Sequence, residues 1–164
     1  MNQLKLIYDF SHRSIDFESL LWPLLCVAAG FAIFYYSKKD TTQKERNRTK
    51  GIGIVFILFS GLFSAMIIPS HLKEYFTTKN IYENKKYIIV EGHVDHYHPM
   101  PWGGHDTERF EVKGVEFEYS DYDLTDYGYN NTASKGGVIK DNLYVRISYF
   151  NNGRRNVILK LETE

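Results

Sequence analysis

The sequence contains little cysteine and no excess charge of either sign. One of its 164 residues is cysteine, so no intramolecular disulfide can form and cysteine usage does not indicate a redox compartment. Twenty basic residues balance twenty acidic ones. Nucleic-acid-binding domains are usually basic, because neutralisation of phosphates dominates their affinity. The zero net charge therefore argues against DNA or RNA as a partner.

Motifs of the common enzyme classes are also lacking. The sequence has no GxSxG nucleophile elbow and no Walker-type or dinucleotide-binding glycine pattern. Ser120 lies in no nucleophile motif, and Glu116 and Glu118 alternate as residues on a solvated strand face do. The sequence therefore predicts a protein that is not an enzyme and needs no cofactor.

Two long apolar runs stand out in the first half of the chain. Residues 19–37 and 51–70 contain no charged side chain. Each run approaches the roughly 20 residues that a helix needs to cross a bilayer, and helices satisfy their own backbone hydrogen bonds in lipid. Trp22 and Tyr35 lie where interfacial aromatic residues are expected, and Pro69 is expected to end the second helix. Small residues that would allow close helix packing are Ala28, Ala29, Gly30, Gly51, Gly53, Ser60, Gly61 and Ser64.

The loop between the two runs, residues 38–50, contains six Lys or Arg residues against Asp40 and Glu45. Short loops rich in Lys and Arg stay in the cytoplasm, whereas the tail at residues 1–18 carries only two such residues. These features predict a multi-pass membrane protein with both termini outside the cytoplasm. The same loop could bind anionic lipid headgroups.

The second half of the chain has the alternation of β-strands. Residues 71–85 are expected to form a linker or helical stalk, and residues 86–164 a small antiparallel all-β domain. In ERFEV and VEFEY the apolar residues should face inward and the glutamates outward. An OB-like or SH3-like barrel is favoured because closure protects strand edges. The predicted strands are 86–98, 108–112, 115–119, 143–150 and 156–162, with hairpin turns at Lys113-Gly114 and Asn152-Gly153.

Two loops are too distinctive to be plain connectors: PMPWGGHD at 99–106 and the eighteen-residue segment at 120–137. Long loops on a rigid scaffold are common binding sites. Aromatic rings and planar amides suit sugar rings or an extended peptide, so a groove is predicted here. Its expected residues are Trp102, His105, Tyr119, Asp121, Tyr122, Tyr129, Asn130 and Asn131. The alternative is a loop packed on itself with Asx turns.

Four histidines fall between positions 93 and 105. Neutral imidazoles bind zinc or copper, and alternation along a strand would place His96 and His98 on one face with His93 on the other. A metal site would use His96 and His98, with His105 brought back by the loop. Solvated histidines at the mouth of a barrel are the competing interpretation.

The pattern VEGHV, then PMP, then VEFEYSDY resembles the C-terminal domain of an uncharacterised family of small bacterial membrane proteins. The similarity covers residues 84–162 and implies a bacterial, membrane-anchored setting. It carries over no activity and no ligand to this chain. The sequence thus predicts a non-enzymatic envelope protein whose β domain binds another protein, a glycan or another envelope component. A metal-binding or metal-sensing domain is the alternative.

Overall fold

The computed structural model describes residues 4–104, 106–123 and 127–164, which form two compact units. One unit is Ile15–Lys73 and is helical. The other combines the residues up to Ser14 with Glu74–Glu164 and contains the β-sheet.

The helical unit contains α1, Phe17–Tyr36, and most of α2, Gln43–Glu83. Asp16 begins α1 by accepting hydrogen bonds from the first-turn amides of Glu18 and Ser19. Thr42 and Glu45 form a reciprocal capping box at the start of α2, since each side chain accepts a hydrogen bond from the other's backbone amide. Polar side chains at the two starts therefore define where the apolar helices begin.

Both helices are long and apolar enough to cross a membrane, over Phe17–Lys39 and Gln43–Glu83. Their large apolar side chains are mostly exposed, whereas the core helix of a soluble domain would bury such side chains. Helices that are apolar on all sides and unburied suit lipid as their solvent. The most exposed are Trp22, Val55, Leu58, Phe59, Leu62 and Met66.

Glycines allow α1 and α2 to approach each other closely at two points. A Cβ atom on Gly30 would lie 2.7 Å from Cγ1 of Ile57, and one on Gly53 would lie 2.8 Å from the backbone N of Phe34. These distances are too short for a real side chain, so only glycine fits at either position. Gly51 and Gly61 have open space at the Cβ position, so the predicted small-residue contact involves only some of those residues.

The expectation that Pro69 ends the second helix is wrong, because α2 continues through it to Glu83. Proline removes one backbone donor, but membrane-type helices tolerate this where nearby side chains satisfy freed carbonyl groups. The segment predicted as a linker or stalk is therefore helical to Glu83 and has no break at the proline.

The sheet contains six strands, of which five match the predicted segments. The strands are β1 Lys5–Asp9, β2 Ile88–His98, β3 Glu108–Val112, β4 Val115–Tyr119, β5 Tyr144–Asn151 and β6 Asn156–Thr163. The strand that was not predicted is β1, which comes from the part of the chain that the sequence assigned to an N-terminal tail and pairs with the last strand, β6. All neighbouring strands are antiparallel in the order β1-β6-β5-β2-β3-β4.

The sheet is not the closed barrel expected from the sequence, since β1 and β4 are its two edges. The β4 edge lies close to β6, where the Asn156 side-chain amide donates to the carbonyl of Glu116 at 2.7 Å. Tyr129 pairs with β6 beyond the end of β1, where its backbone amide donates to the carbonyl of Ile158 at 2.9 Å. Side-chain and loop contacts thus protect the edges without a full ring of paired strands.

Apolar side chains cover both faces of the sheet. The larger core includes Phe110, Phe117 and Ile147. The second core packs Phe10 and Leu159 with the last turns of α2. The end of α2 is thereby part of the sheet unit, and the ring of Phe10 lies 5.5 Å from that of Tyr82 on that helix.

Candidate functional site

A tight turn after β2 presents Trp102 to solvent. The backbone amide of Gly104 donates to the carbonyl of Pro101 at 2.9 Å, which closes the turn. Met100, at its base, is buried, and its sulfur lies 3.5 Å from the hydroxyl oxygen of Ser120. The side chain of Trp102 is nevertheless 87% exposed, the highest value among the large apolar residues described. The turn is fixed at its base and holds an uncovered indole at its tip.

Tyr122 lies beside this turn and is itself 65% exposed. Gly104 has φ of +70°, and a Cβ there would lie 3.2 Å from Cε2 of the Tyr122 ring. The position therefore favours glycine on two grounds: the left-handed backbone and the close ring. An open depression of about 460 Å³ lies between the two loops and includes Gly103, Thr107 and Ser120 in its lining. We call Trp102, Tyr122 and this depression the aromatic patch.

Asp106 organises the polar side of the aromatic patch. Its carboxylate accepts hydrogen bonds from the backbone amide of Thr107 at 2.8 Å, from Nε2 of His98 at 3.0 Å and from Nη2 of Arg109 at 3.1 Å. These bonds, the amide of Thr107 foremost, hold the pKa of Asp106 below its ordinary value. The carboxylate therefore stays ionised near neutral pH and fixes the return of the loop into β3.

Two predicted binding residues belong to the core instead of the surface. Tyr119 and Tyr129 are buried, and their rings meet edge to face at 5.5 Å. Burial, together with the charge of Glu108, raises the pKa of Tyr119. Strand alternation carries Tyr119 inward and the loop returns Tyr129 to the core, so their burial gives the predicted binding groove no support. The predicted self-packed loop describes this part better.

The remaining predicted binding residues lie in several places. Asn130 lines a narrow crevice together with Tyr119 and Tyr129, and this crevice is too small for a ligand. Asp121 is half-buried and Asn131 is exposed. His105 lies outside the described residues. Trp102 and Tyr122 are both exposed on adjoining loops, where Tyr122 lies beside Gly104 and lines the depression.

Glu108 is the polar residue that the sequence interpretation missed. Its side chain is 0% exposed, and its two carboxylate oxygens accept hydrogen bonds from the hydroxyl of Tyr119 and the backbone amide of Ala133, each at 2.7 Å. In ERFEV, strict alternation places Glu108 on the same side as Phe110, so the pattern contained the signal. The expectation that the glutamates face outward is wrong for this one. Through its hydrogen bond with the amide of Ala133, the carboxylate connects the segment after Tyr127 to the sheet.

The structure places His96 and His98 in the lining of one open depression of about 500 Å³, together with Glu111 and Glu118, and His93 is not part of that lining. A bulge between Asp95 and His98 gives His96 a φ of +52°, and His93, His96 and His98 are all exposed. His96 Nδ1 lies 3.4 Å from a carboxylate oxygen of Glu111, whereas His98 contacts Asp106.

Nδ1 of His93 lies 3.1 Å from the carbonyl oxygen of Asn142. Across residues 4–104, 106–123 and 127–164, no three His, Cys, Asp or Glu side chains are placed to hold a metal ion. The structure thus gives the metal hypothesis for His96 and His98 no added support, and its third residue, His105, lies outside the described part.

The assignments above rest on the sequence and structure of this chain alone. No protein family, no curated protein and no solved structure matches this sequence or fold.

Proposed function

We propose that this chain is a non-enzymatic, membrane-anchored protein of the bacterial envelope whose β unit lies outside the cytoplasm. Its aromatic patch binds another protein or an envelope component there. The observation that carries the proposal is Trp102, a large apolar side chain that is 87% exposed on a turn whose base is buried. Solvent exposure of an indole gains nothing for folding, whereas tryptophan is among the commonest residues at the energetic centre of interfaces.

The turn is organised before any partner binds. Closure by Gly104, burial of Met100 and the three hydrogen bonds to Asp106 restrict the backbone that carries the indole. Because a rigid loop loses little conformational entropy on association, more of the contact free energy remains available for affinity. This supports a recognition role over that of a flexible connector.

The depression beside Tyr122 suits a ligand with an apolar face and a polar edge. Its lining combines the tyrosine ring with two glycines and the hydroxyl-bearing residues Thr107 and Ser120. Aromatic rings stack on the apolar faces of sugar rings, and they also accept apolar side chains of a peptide. Both kinds of partner are present next to a bacterial membrane.

The membrane part of the proposal rests on α1 and α2. Two spans joined by a basic loop make a multi-pass anchor in the inner membrane, with the loop in the cytoplasm. The chain then leaves the bilayer at the end of the second span and enters the β unit on the opposite side.

Site-specific photocrosslinking in intact membranes tests the proposal on the full chain. A photoreactive amino acid replaces Trp102 in one variant and Ile88 in a control; Ile88 is 61% exposed and lies at the other end of β2, roughly 30 Å away along the strand. Soluble peptidoglycan fragments are titrated in parallel against the wild type and Trp102→Ala.

Crosslinked adducts at position 102 but not at position 88, or fragment binding that Trp102→Ala weakens at least tenfold, are the expected results. Removal of a buried aromatic contact at an interface commonly has an effect of this size. Equal adduct patterns at the two positions, together with no fragment binding by the wild type, would refute a recognition role for the aromatic patch.

A further inference from the structure

The basic loop predicted at residues 38–50 is mostly helical in the structure: it includes the end of the short turn Ser37–Lys39, a connection at 40–42 and the first two turns of α2. We keep the name basic loop for residues 38–50, which concentrate positive charge at one end of the helical unit. Its six basic residues oppose two acidic ones over residues 38–50. Four of them are exposed: Lys38, Lys39, Lys44 and Arg48. All thirteen residues of this loop are described.

The acidic residues of the loop do not neutralise its cations. The carboxylate of Glu45 accepts a hydrogen bond from the hydroxyl of Thr42 at 2.7 Å as part of the cap on α2. Arg46 donates to the backbone carbonyl of Asp40 at 3.3 Å, not to its carboxylate. Within the described part of the chain, no salt bridge involves a cation of this loop. Among the residues that the structure describes, no carboxylate pairs with this positive charge.

Aromatic rings hold two of these cations at the end of α1. Nζ of Lys38 lies 5.1 Å from the ring centre of Tyr35, and Nζ of Lys39 lies 4.8 Å from that of Tyr36. Both rings are exposed, as tyrosines at the level of lipid headgroups are. Cation–π contact therefore keeps two ammonium groups beside the apolar surface of the helix, where they can reach a headgroup phosphate.

We propose that this loop is a binding site for anionic phospholipid headgroups, such as those of phosphatidylglycerol. The inference rests on the membrane hairpin of the proposed function but not on the aromatic patch. A lipid phosphate supplies the charge that the chain lacks here, and it lies at the depth where the two spans end. Each Lys or Arg near an anionic membrane surface strengthens attraction by about fivefold, so the loop as a whole selects anionic over zwitterionic lipid.

The test uses the full chain reconstituted into vesicles of phosphatidylcholine and phosphatidylglycerol at a ratio of about 7:3. After extraction in a mild non-ionic detergent, the two lipids that remain on the protein are quantified by mass spectrometry. The loop variant is Lys44→Gln with Arg48→Gln, two exposed residues on one face of α2 that make no salt bridge in the described structure. The matched control is Lys135→Gln with Arg154→Gln in the β unit, which removes the same charge from exposed positions.

The wild type and the control variant should retain phosphatidylglycerol over phosphatidylcholine at least fivefold above the vesicle ratio. The loop variant should lose that preference and return to within about twofold of the vesicle ratio. The proposal is overturned if the wild type shows no preference, if the loop variant keeps it, or if the control loses it equally. Displacement of phosphatidylglycerol by about 10 mM inorganic phosphate, at which ionic screening is still weak, would also overturn it, by assigning the site to a soluble anion.

A separate measurement keeps failure of the hairpin distinct from failure of lipid selection. Each protein is reconstituted in pure phosphatidylcholine and washed with alkaline carbonate. Retention of the wild type and the loop variant confirms insertion independently of headgroup charge. Loss of the wild type from these vesicles would refute the membrane anchor, and with it the lipid site.

Discussion

Replacing Glu108 by alanine should destabilise the β unit far more than replacing a glutamate on the outer face of the same hairpin. The carboxylate is completely buried and accepts hydrogen bonds from Tyr119 and Ala133, both at 2.7 Å. It connects strand β3 to its neighbour and to the short helical turn Ala133–Lys135. Truncation therefore acts on the sheet and on the segment that covers its edge.

The magnitude follows from the two donors that Glu108→Ala leaves without a partner. Each unpaired buried donor costs about 1–3 kcal/mol, and removal of a buried hydrogen-bonded acid typically costs about 3–5 kcal/mol in all. Glu108→Gln retains the shape but offers one acceptor oxygen to two donors, so it should cost about 1–3 kcal/mol. In a unit of this size, each kcal/mol lowers Tm by roughly 4–8 °C.

Thermal unfolding of the full chain in mild detergent, followed by the near-ultraviolet tyrosine signal, measures these differences. Glu116→Gln is the matched control, because Glu116 is exposed on β4 and its substitution should change stability by less than about 0.5 kcal/mol. Amide exchange of Ala133 should accelerate in both Glu108 variants. A Tm for Glu108→Ala equal to that of Glu116→Gln would refute the role given to the buried carboxylate.

Three further predictions concern the glycines and Asp106. Gly53→Val should lower the Tm of the helical signal in detergent while Gly61→Val does not, since only a Cβ at Gly53 meets α1; equal effects would contradict the packing. Gly104→Ala should cost about 1–2 kcal/mol, because φ is +70° there, and an unchanged Tm would exclude that strain. The pKa of Asp106 is lowered in the folded chain, so its stabilisation is complete above the unfolded value of about 3.9 and is lost as pH falls through the folded pKa. Protection of the following amide, measured as its exchange rate relative to the intrinsic rate at the same pH, should fall only in that acidic range, and a fall already between pH 5 and 7 would contradict the assignment.

The regular parts of the fold could be predicted because their patterns are local. The bounds of ERFEV and VEFEY agree with β3 and β4, and the Lys113-Gly114 turn between them has the positive φ angles that the pair predicted. The apolar runs likewise indicated two helices. In each case the information lies within a few neighbouring residues.

The differences arise where a distant contact decides the structure. The sequence Lys5–Asp9 is short and carries charges at both ends, so its strand is identifiable only through its pairing with β6. Closure of the sheet also depends on distant groups, namely the Asn156 amide and the loop at Tyr129. No local pattern distinguishes this edge protection from that of a barrel.

Among the predicted binding residues, too, local patterns predicted some positions correctly and distant contacts decided others. Trp102 and Tyr122 follow turn-forming residues and are exposed, as the loop composition suggested. Tyr119 is buried where Glu108 offers its hydroxyl a hydrogen-bond acceptor inside the core, and the hydroxyl of the buried Tyr129 accepts a hydrogen bond from the backbone amide of Val138 at 3.3 Å. The residue type alone does not show whether a tyrosine is exposed in a loop or buried in the core. The hydrogen-bond partner that the fold places beside its hydroxyl decides between the two.

The arrangement of the chain across the membrane is tested most directly by labelling with a membrane-impermeant maleimide in intact cells. Cys26→Ser supplies a background without cysteine, in which Lys135→Cys and Arg48→Cys each introduce one thiol at an exposed position. The proposed topology predicts labelling at position 135 in intact cells, and at position 48 only after the membrane is permeabilised. Labelling at position 48 but not at 135 would invert the topology, and equal labelling at both before permeabilisation would refute two membrane spans.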